Sequence, residues 1–231
     1  MNIALLLSGG TGTRLGMDIP KQYIKVNQKP IIAYALEQLS MHEEIDKIQI
    51  VAEELWQTKL LDIISIYDKN QKFKGFSTPG STRQLSVFSG ISDIRTYVSD
   101  TDIVLIHDSA RPNISKKLIS DCINAIQGHD GVIPVLPVKD TIYSVANGSI
   151  TGLLERKELF VGQAPEVFRL GKYYEANLHL FPDDILKING STEPAVLAGM
   201  DIVMIAGEEE NFKITTKADL ERFCMKEKEI E

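Results

Sequence analysis

The chain opens with a continuous apolar run, Ile3-Ala4-Leu5-Leu6-Leu7, that stops at Ser8-Gly9-Gly10. A run without polar alternation fits a strand covered on both faces, the usual state in a parallel sheet. Apolar residues then recur at 31, 32, 35, 36 and 39, which predicts a helix over 30–39 opening at Pro30. A second strand is expected at 45–51 and a helix at 55–67, with Leu60, Ile63 and Ile64 on its apolar side. A weaker strand at 73–76 is followed by the turn Thr78-Pro79-Gly80-Ser81-Thr82 and a helix near 85–94. A short strand at 103–106, a helix at 115–126 and a strand at 131–135 continue the alternation. This repeated order of strand then helix predicts an α/β fold: an open, mostly parallel, twisted sheet with helices on both faces and right-handed crossovers.

The pattern breaks between Val138 and Val167. Residues 141–145 alternate, Asn147-Gly148 is a tight-turn signal, and 150–154 can return along the first run. The expectation is a protruding β-hairpin arm at about 138–160. A two-stranded arm is marginal alone, so it should pack on the body or on a second subunit. Beyond it, helices are expected at 170–180 and at 193–197, where Pro194 suits a first turn. A strand at 202–205, a polar loop at 207–211 and a terminal helix from Asp219 complete the chain. Without a linker, a low-complexity tract or an internal repeat, 1–231 reads as a single domain.

Composition adds exclusions. The hydrophobic fraction of 43% and charged fraction of 25% are those of an ordinary globular protein. The formal charge of -7, from 25 basic and 32 acidic residues, argues against nucleic acid as the main partner, although a few clustered cations suffice for a small anion. Cys122 and Cys224 have no close spacing and read as free thiols of a reducing compartment. The start carries neither a basic segment nor a cleavage site, so the expectation is a cytoplasmic protein with no membrane association.

Candidate chemistry concentrates behind the first strand, in Ser8-Gly9-Gly10-Thr11-Gly12-Thr13-Arg14-Leu15-Gly16. Successive glycines let a backbone approach a ligand and turn its amides inward, which makes an anion-binding nest; the plain alternative is a structural turn. A Walker loop would place Lys-Ser or Lys-Thr after the last glycine, where Met17-Asp18 stands. A dinucleotide fingerprint would need a glycine where Leu15 stands and an acidic residue where only Asn27 and Gln28 are found. Arg14 inside the loop and Lys21 in Pro20-Lys21-Gln22 supply two cations, enough to hold a triphosphate and offset charge as phosphoryl oxygens are displaced.

Gly9-Gly10-Thr11-Gly12-Thr13-Arg14-Leu15-Gly16 followed by Pro20-Lys21-Gln22 resembles the signature of nucleotidyltransferases that activate sugar or polyol phosphates. The wording is most similar to the cytidylyltransferases acting on methylerythritol 4-phosphate or ribitol 5-phosphate, and the resemblance extends through most of the chain. It implies a Rossmann-like fold and a CTP-dependent cytidylyltransferase. CMP would pass from CTP to a small polyol or sugar phosphate, with 2-C-methyl-D-erythritol 4-phosphate expected first and D-ribitol 5-phosphate as the alternative. Isoprenoid and teichoic-acid biosynthesis are the corresponding settings. From other classes, the alternatives are a phosphosugar-binding reductase with a variant loop and a catalytically inactive nucleotide-binding regulatory protein.

The resemblance assigns further roles. Arg14, Lys21 and Lys213, the last within Asn211-Phe212-Lys213-Ile214-Thr215, would be catalytic. Gly9, Gly10, Thr11, Gly12 and Thr13 would cradle phosphates. Gly80, Arg83 and Ser86 would surround cytosine and ribose, where the plain reading is an N-capped helix. Asp108, in His107-Asp108-Ser109-Ala110-Arg111-Pro112 past a strand end, would hold Mg2+ shared with the nucleotide. His107 reads equally as a structural residue, and Arg111 as a salt-bridge partner. In the resembled enzymes the arm crosses to a neighbouring subunit, so Thr141 and Arg156 would contact the acceptor phosphate in a homodimer, with Arg111 and Thr192 on the same side. Gln163-Ala164-Pro165-Glu166 and Ser191-Thr192-Glu193-Pro194 depart from the usual Thr-Pro-Gln and Thr-Asp-Glu-Ala wording. At the second, the family threonine falls on Thr192 or, without a shifted gap, on Asn189.

Overall fold

A computed structural model describes residues 1–10 and 19–229. In chain order its elements are β1 (Asn2–Leu7), a 3-10 turn (Lys21–Tyr23), β2 (Lys25–Val26), β3 (Lys29–Pro30), α1 (Ile31–Met41), β4 (Lys47–Val51) and α2 (Glu54–Tyr67). Next come β5 (Phe73–Ser77), α3 (Arg83–Ile94), β6 (Ile103–Asp108), α4 (Lys116–Ala125) and β7 (Gly131–Pro137). The chain closes with β8 (Tyr143–Ala146), β9 (Ser149–Leu153), β10 (Phe160–Gly162), β11 (Glu166–Arg169), α5 (Leu170–Leu178), α6 (Glu193–Leu197), β12 (Ile202–Ala206) and α7 (Lys217–Glu229).

The main sheet runs β10-β7-β11-β6-β1-β4-β5, with β12 paired to β7. β1 is parallel to both β4 and β6, and β4 is parallel to β5. β11 is antiparallel to both β6 and β7, so β7 runs the same way as β6, and β12 is parallel to β7. The reversed segment β10–β11 therefore sits inside an otherwise parallel sheet, as the mostly parallel expectation allows.

Alternate residues of each strand serve opposite faces. Ala4 and Leu6 of β1, with Ile103 and Leu105 of β6, join a core under α1, α2 and α4. Ile3 and Leu5, with Val104 and Ile106, join a second core under α3, α5 and α6. Both faces are thus covered, which is why these strands read as unbroken apolar runs. A third cluster packs Phe223 of α7 against Ile24, Val26, Ile31 and Ile214.

The arm has the predicted form. β8 and β9 pair only with each other, and Asn147 and Gly148 at their turn take φ values of 50° and 78°. Both central residues lie in the left-handed region that such hairpin turns require. Tyr143, Val145, Ile150 and Leu153 on the arm are exposed, and Phe160 and Val161 of β10 continue the apolar surface. Among the described residues, no helix is long and apolar enough to cross a membrane.

Candidate active site

The parallel strands β1, β4, β5 and β6 end on one edge of the sheet, and the chain passes from β1 to β4 and β5 on one side before returning to β6 on the other. Ligands of open α/β sheets bind outside the carboxyl ends at such a switch point. There a cleft of about 540 Å³ is lined by Gly9 and Gly10 after β1, Glu53 after β4, Gly80 to Arg83 after β5, and Asp108 to Ala110 at the end of β6. Leu7, Lys21, Gln22, Ser86, Lys213 and Thr215 complete the described lining.

Local bonds fix these loops. The Gln22 amide donates to the carbonyls of Ser8 and Gly10 at 2.7 and 2.8 Å. Lys21 Nζ donates to the Ile214 carbonyl at 2.6 Å, and the Ile214 N–H donates to the Ala110 carbonyl at 2.8 Å. Three chain segments distant in sequence are thereby tied around one opening. Across the cleft, Thr82 caps α3 by accepting from the Leu85 N–H at 3.1 Å. The Gly80 N–H donates to Ser86 Oγ at 3.0 Å. A Cβ at Gly80 would sit 2.3 Å from Leu85 Cβ and 2.9 Å from its carbonyl carbon, so this turn closes only with glycine.

Asp108 is the electrostatic centre. Arg83 Nε and Nη2 donate to its Oδ1 at 3.3 and 3.1 Å. Lys213 Nζ lies 2.9 Å, and Arg111 Nε 3.6 Å, from its Oδ2. Burial by itself would raise the Asp108 carboxyl, but the surrounding Arg83, Lys213 and Arg111 hold it well below the usual carboxylate range. Next to it, burial pushes His107 down to about 4, so it is a neutral ring. Its Nε2 is 3.0 Å from the Arg111 carbonyl, which can only accept, so Nε2 carries the hydrogen. His107 therefore props the loop rather than exchanging protons with a ligand. Glu166 is also raised by burial, with Arg83 opposing.

This arrangement suits an anion beside a pre-set carboxylate: Gly9 and Gly10, two lysines and the start of α3 converge on one opening. A family model described as 2-C-methyl-D-erythritol 4-phosphate cytidylyltransferase, IspD, matches residues 2–225. The chain belongs to this family. It is 32% identical over 223 residues, 95% of each chain, to the ribitol-5-phosphate cytidylyltransferase of Lactiplantibacillus plantarum. It is 37% identical over 225 residues to the bifunctional enzyme IspD/IspF of Granulibacter bethesdensis, covering 95% of this chain and 54% of that longer protein. Among solved structures, the Francisella tularensis 2-C-methyl-D-erythritol 4-phosphate cytidylyltransferase superposes with a TM-score of 0.80 at 25% identity, over 96% and 97% of the two chains.

Within the described residues of this IspD-family chain, Gly9, Gly10, Lys21, Gly80, Arg83, Ser86, Asp108 and Lys213 all line one cleft. Thr11, Gly12, Thr13 and Arg14 lie outside the described residues. Arg111 stands behind Asp108 and donates to the Asn211 carbonyl at 2.7 Å. Thr141 precedes the arm's first strand, Arg156 donates to the Lys139 carbonyl at 2.8 Å, and Thr192 sits at the start of α6; none of the three lines the cleft. Lys213 lies in the loop between β12 and α7. Sequence reasoning gave no role to Glu53, Ser109 or Thr215, which line the cleft, nor to the bracing amide of Gln22. Glu53 was findable, since it follows a predicted strand at the same sheet edge as Gly9.

Among the described residues no group of three or more His, Cys, Asp or Glu is placed to hold a metal. Magnesium asks for less, since it is commonly held by one or two carboxylates with substrate phosphates and water completing its shell. Asp108 has Oδ1 taken by Arg83 and presents Oδ2 to the cleft beside Lys213, so it fits that mode with Lys213 giving way at that oxygen.

Proposed function

We propose that this chain transfers CMP from CTP to a small polyol or sugar phosphate and releases pyrophosphate, with 2-C-methyl-D-erythritol 4-phosphate as the first acceptor to consider. The observation that carries this reading is the convergence of Gly9, Gly10, Lys21, Asp108 and Lys213 on one cleft at the sheet's switch point. D-ribitol 5-phosphate is the second reading, favoured by relatives such as the L. plantarum enzyme.

An acceptor phosphate oxygen attacks the α-phosphorus of CTP in line. A new P–O bond forms, the bond to the bridging oxygen breaks, and pyrophosphate leaves with the electron pair. The phosphate monoester is already an anion at neutral pH, so the protein needs no covalent intermediate and no general base. Its work is positioning and charge compensation. Lys21 and Arg14 would act on the triphosphate and leaving group, and Lys213 on the transferring phosphoryl. Asp108 would hold magnesium, which when bound neutralises phosphate charge. Gly80 and Ser86 would meet the nucleoside, while Arg83, expected beside them, gives its guanidinium to Asp108. The apolar arm supports a homodimer, in which Thr141 and Arg156 of one chain would reach the acceptor phosphate in the cleft of the other, together with Arg111 and Thr192.

The test is pyrophosphate release with magnesium and CTP, comparing the two acceptors in parallel, with other nucleoside triphosphates as controls. Turnover with one acceptor is the expected result. CTP binding without pyrophosphate from either would refute transfer to this acceptor class.

A further inference from the structure

The two segments that depart from the resembled wording, 163–166 and 189–194, meet in space at one guanidinium. Arg83, the first residue of α3, gives Nε and Nη2 to Asp108 Oδ1, and its Nη1 donates to Ser191 Oγ. Its Nη2 also lies 4.0 Å from Glu166 Oε2. The sheet explains the convergence. Glu166 of β11 pairs with Ile106 of β6, and Asp108 lies two residues beyond Ile106. Both carboxylates therefore point to the face covered by α3, α5 and α6. Ser191 is fully buried, and its carbonyl accepts from the Tyr173 hydroxyl at 2.7 Å. Glu166 Oε2 is buried with no hydrogen-bond partner among the described residues, so its interaction with Arg83 is one of charge at short range.

We propose that Glu166 and Ser191 are positioning residues for the transfer reaction, holding Arg83 back so that Asp108 keeps Oδ2 turned to Lys213 in the cleft. This rests on the cytidylyl-transfer reading above. Arg83 stands between two carboxylates, one at the cleft and one behind it. Without the charge at Glu166, the guanidinium closes on Asp108 alone and draws that carboxylate away from Lys213, whose 2.9 Å contact sets its direction. The consequence falls on turnover, because Lys213 is the cation assigned to the transferring phosphoryl. It does not fall on nucleotide retention. Glu166 does not line the cleft, and removing its negative charge leaves the site one unit more positive toward a triphosphate.

The experiment compares wild type with Glu166→Gln, Glu166→Asp and Ser191→Ala. Thermal melting reports the fold, and isothermal titration calorimetry reports CTP binding without acceptor. Steady-state kcat and KM for CTP are taken with the acceptor that wild type turns over. E166Q is expected to lower kcat about tenfold, as a misplaced group does, with CTP affinity unchanged or tighter. E166D restores part of the rate, and S191A moves kcat in the same direction as E166Q. Unchanged kcat in both E166Q and S191A overturns the proposal, as does a loss confined to a raised KM for CTP. If E166Q fails to fold, E166D and S191A decide by the same readouts. A wild type that releases no pyrophosphate overturns the transfer reading itself, an outcome distinct from active wild type with indifferent variants.

Discussion

Gly9 and Gly10 are adjacent and both line the cleft, yet the structure gives them different reasons to be glycine. A Cβ at Gly9 would stand 2.6 Å from Cβ of Pro79 and 3.3 Å from its Cγ. A proline ring cannot rotate away, so Gly9→Ala must push the β1 end off the turn after β5. Overpacking of this kind costs about 1–3 kcal/mol. For a chain of this size each kcal/mol lowers Tm by about 2–4 °C, so a drop of roughly 2–12 °C is expected. A Cβ at Gly10 meets no described atom within 4 Å, and its φ lies outside the left-handed region. Gly10→Ala should leave Tm unchanged or raise it slightly, by about 0.4–1 kcal/mol of reduced unfolded-state freedom. What it removes is close approach of a phosphate to the backbone, so CTP affinity should fall at least tenfold, about 1.4 kcal/mol. Differential scanning fluorimetry and calorimetric titration with CTP separate the two effects. The reasoning is refuted if Gly10→Ala destabilises as Gly9→Ala does, or if it binds CTP like wild type.

The neutral, buried His107 makes a pH prediction. Its folded value of about 4 lies below the ordinary 6.5, so between those values the unfolded chain binds a proton that the folded chain does not. Stability therefore falls as pH drops through that window, by about 3 kcal/mol from this group. Urea unfolding at pH 7 and pH 4.5 should show the loss and His107→Gln should flatten it; an identical slope in the variant would remove His107 as its cause. Phe223, fully buried and edge-on to Tyr34 at 5.0 Å, packs α7 on Ile214, whose carbonyl accepts from Lys21. Phe223→Ala should cost about 3–5 kcal/mol and reduce turnover well below the new melting temperature. Full kcat in the folded variant would show that α7 does not set the lysines.

The fold was legible where one physical signal dominated. Ile3–Leu7 is apolar on both faces because helices cover both, and the run alone is enough to place a buried parallel strand. Asn147-Gly148 announces its hairpin because few other pairs accept positive φ at both positions. The reversed β11 was not legible: four residues, Glu166–Arg169, give neither length nor alternation enough to declare a direction. Its direction is set by its partners β6 and β7, and only the folded sheet supplies those.

The site divides along the same line. Gly9, Gly10 and Lys21 stand together in sequence, and a local nest needs nothing more to be recognised. Asp108 and Lys213 are 105 positions apart and were joined by resemblance, whereas the 2.9 Å contact between them depends on β6 and the chain after β12 ending on the same sheet edge. The sequence departs from the resembled wording at 163–166 and 189–194. In space Glu166 and Ser191 both face Arg83, and through it Asp108, so under the proposed transfer they would bear on the charge balance at the reacting phosphorus. A departure read along the chain shows that something differs. Which partner it acts on follows from the strand parity that turns Glu166 and Asp108 to the same face.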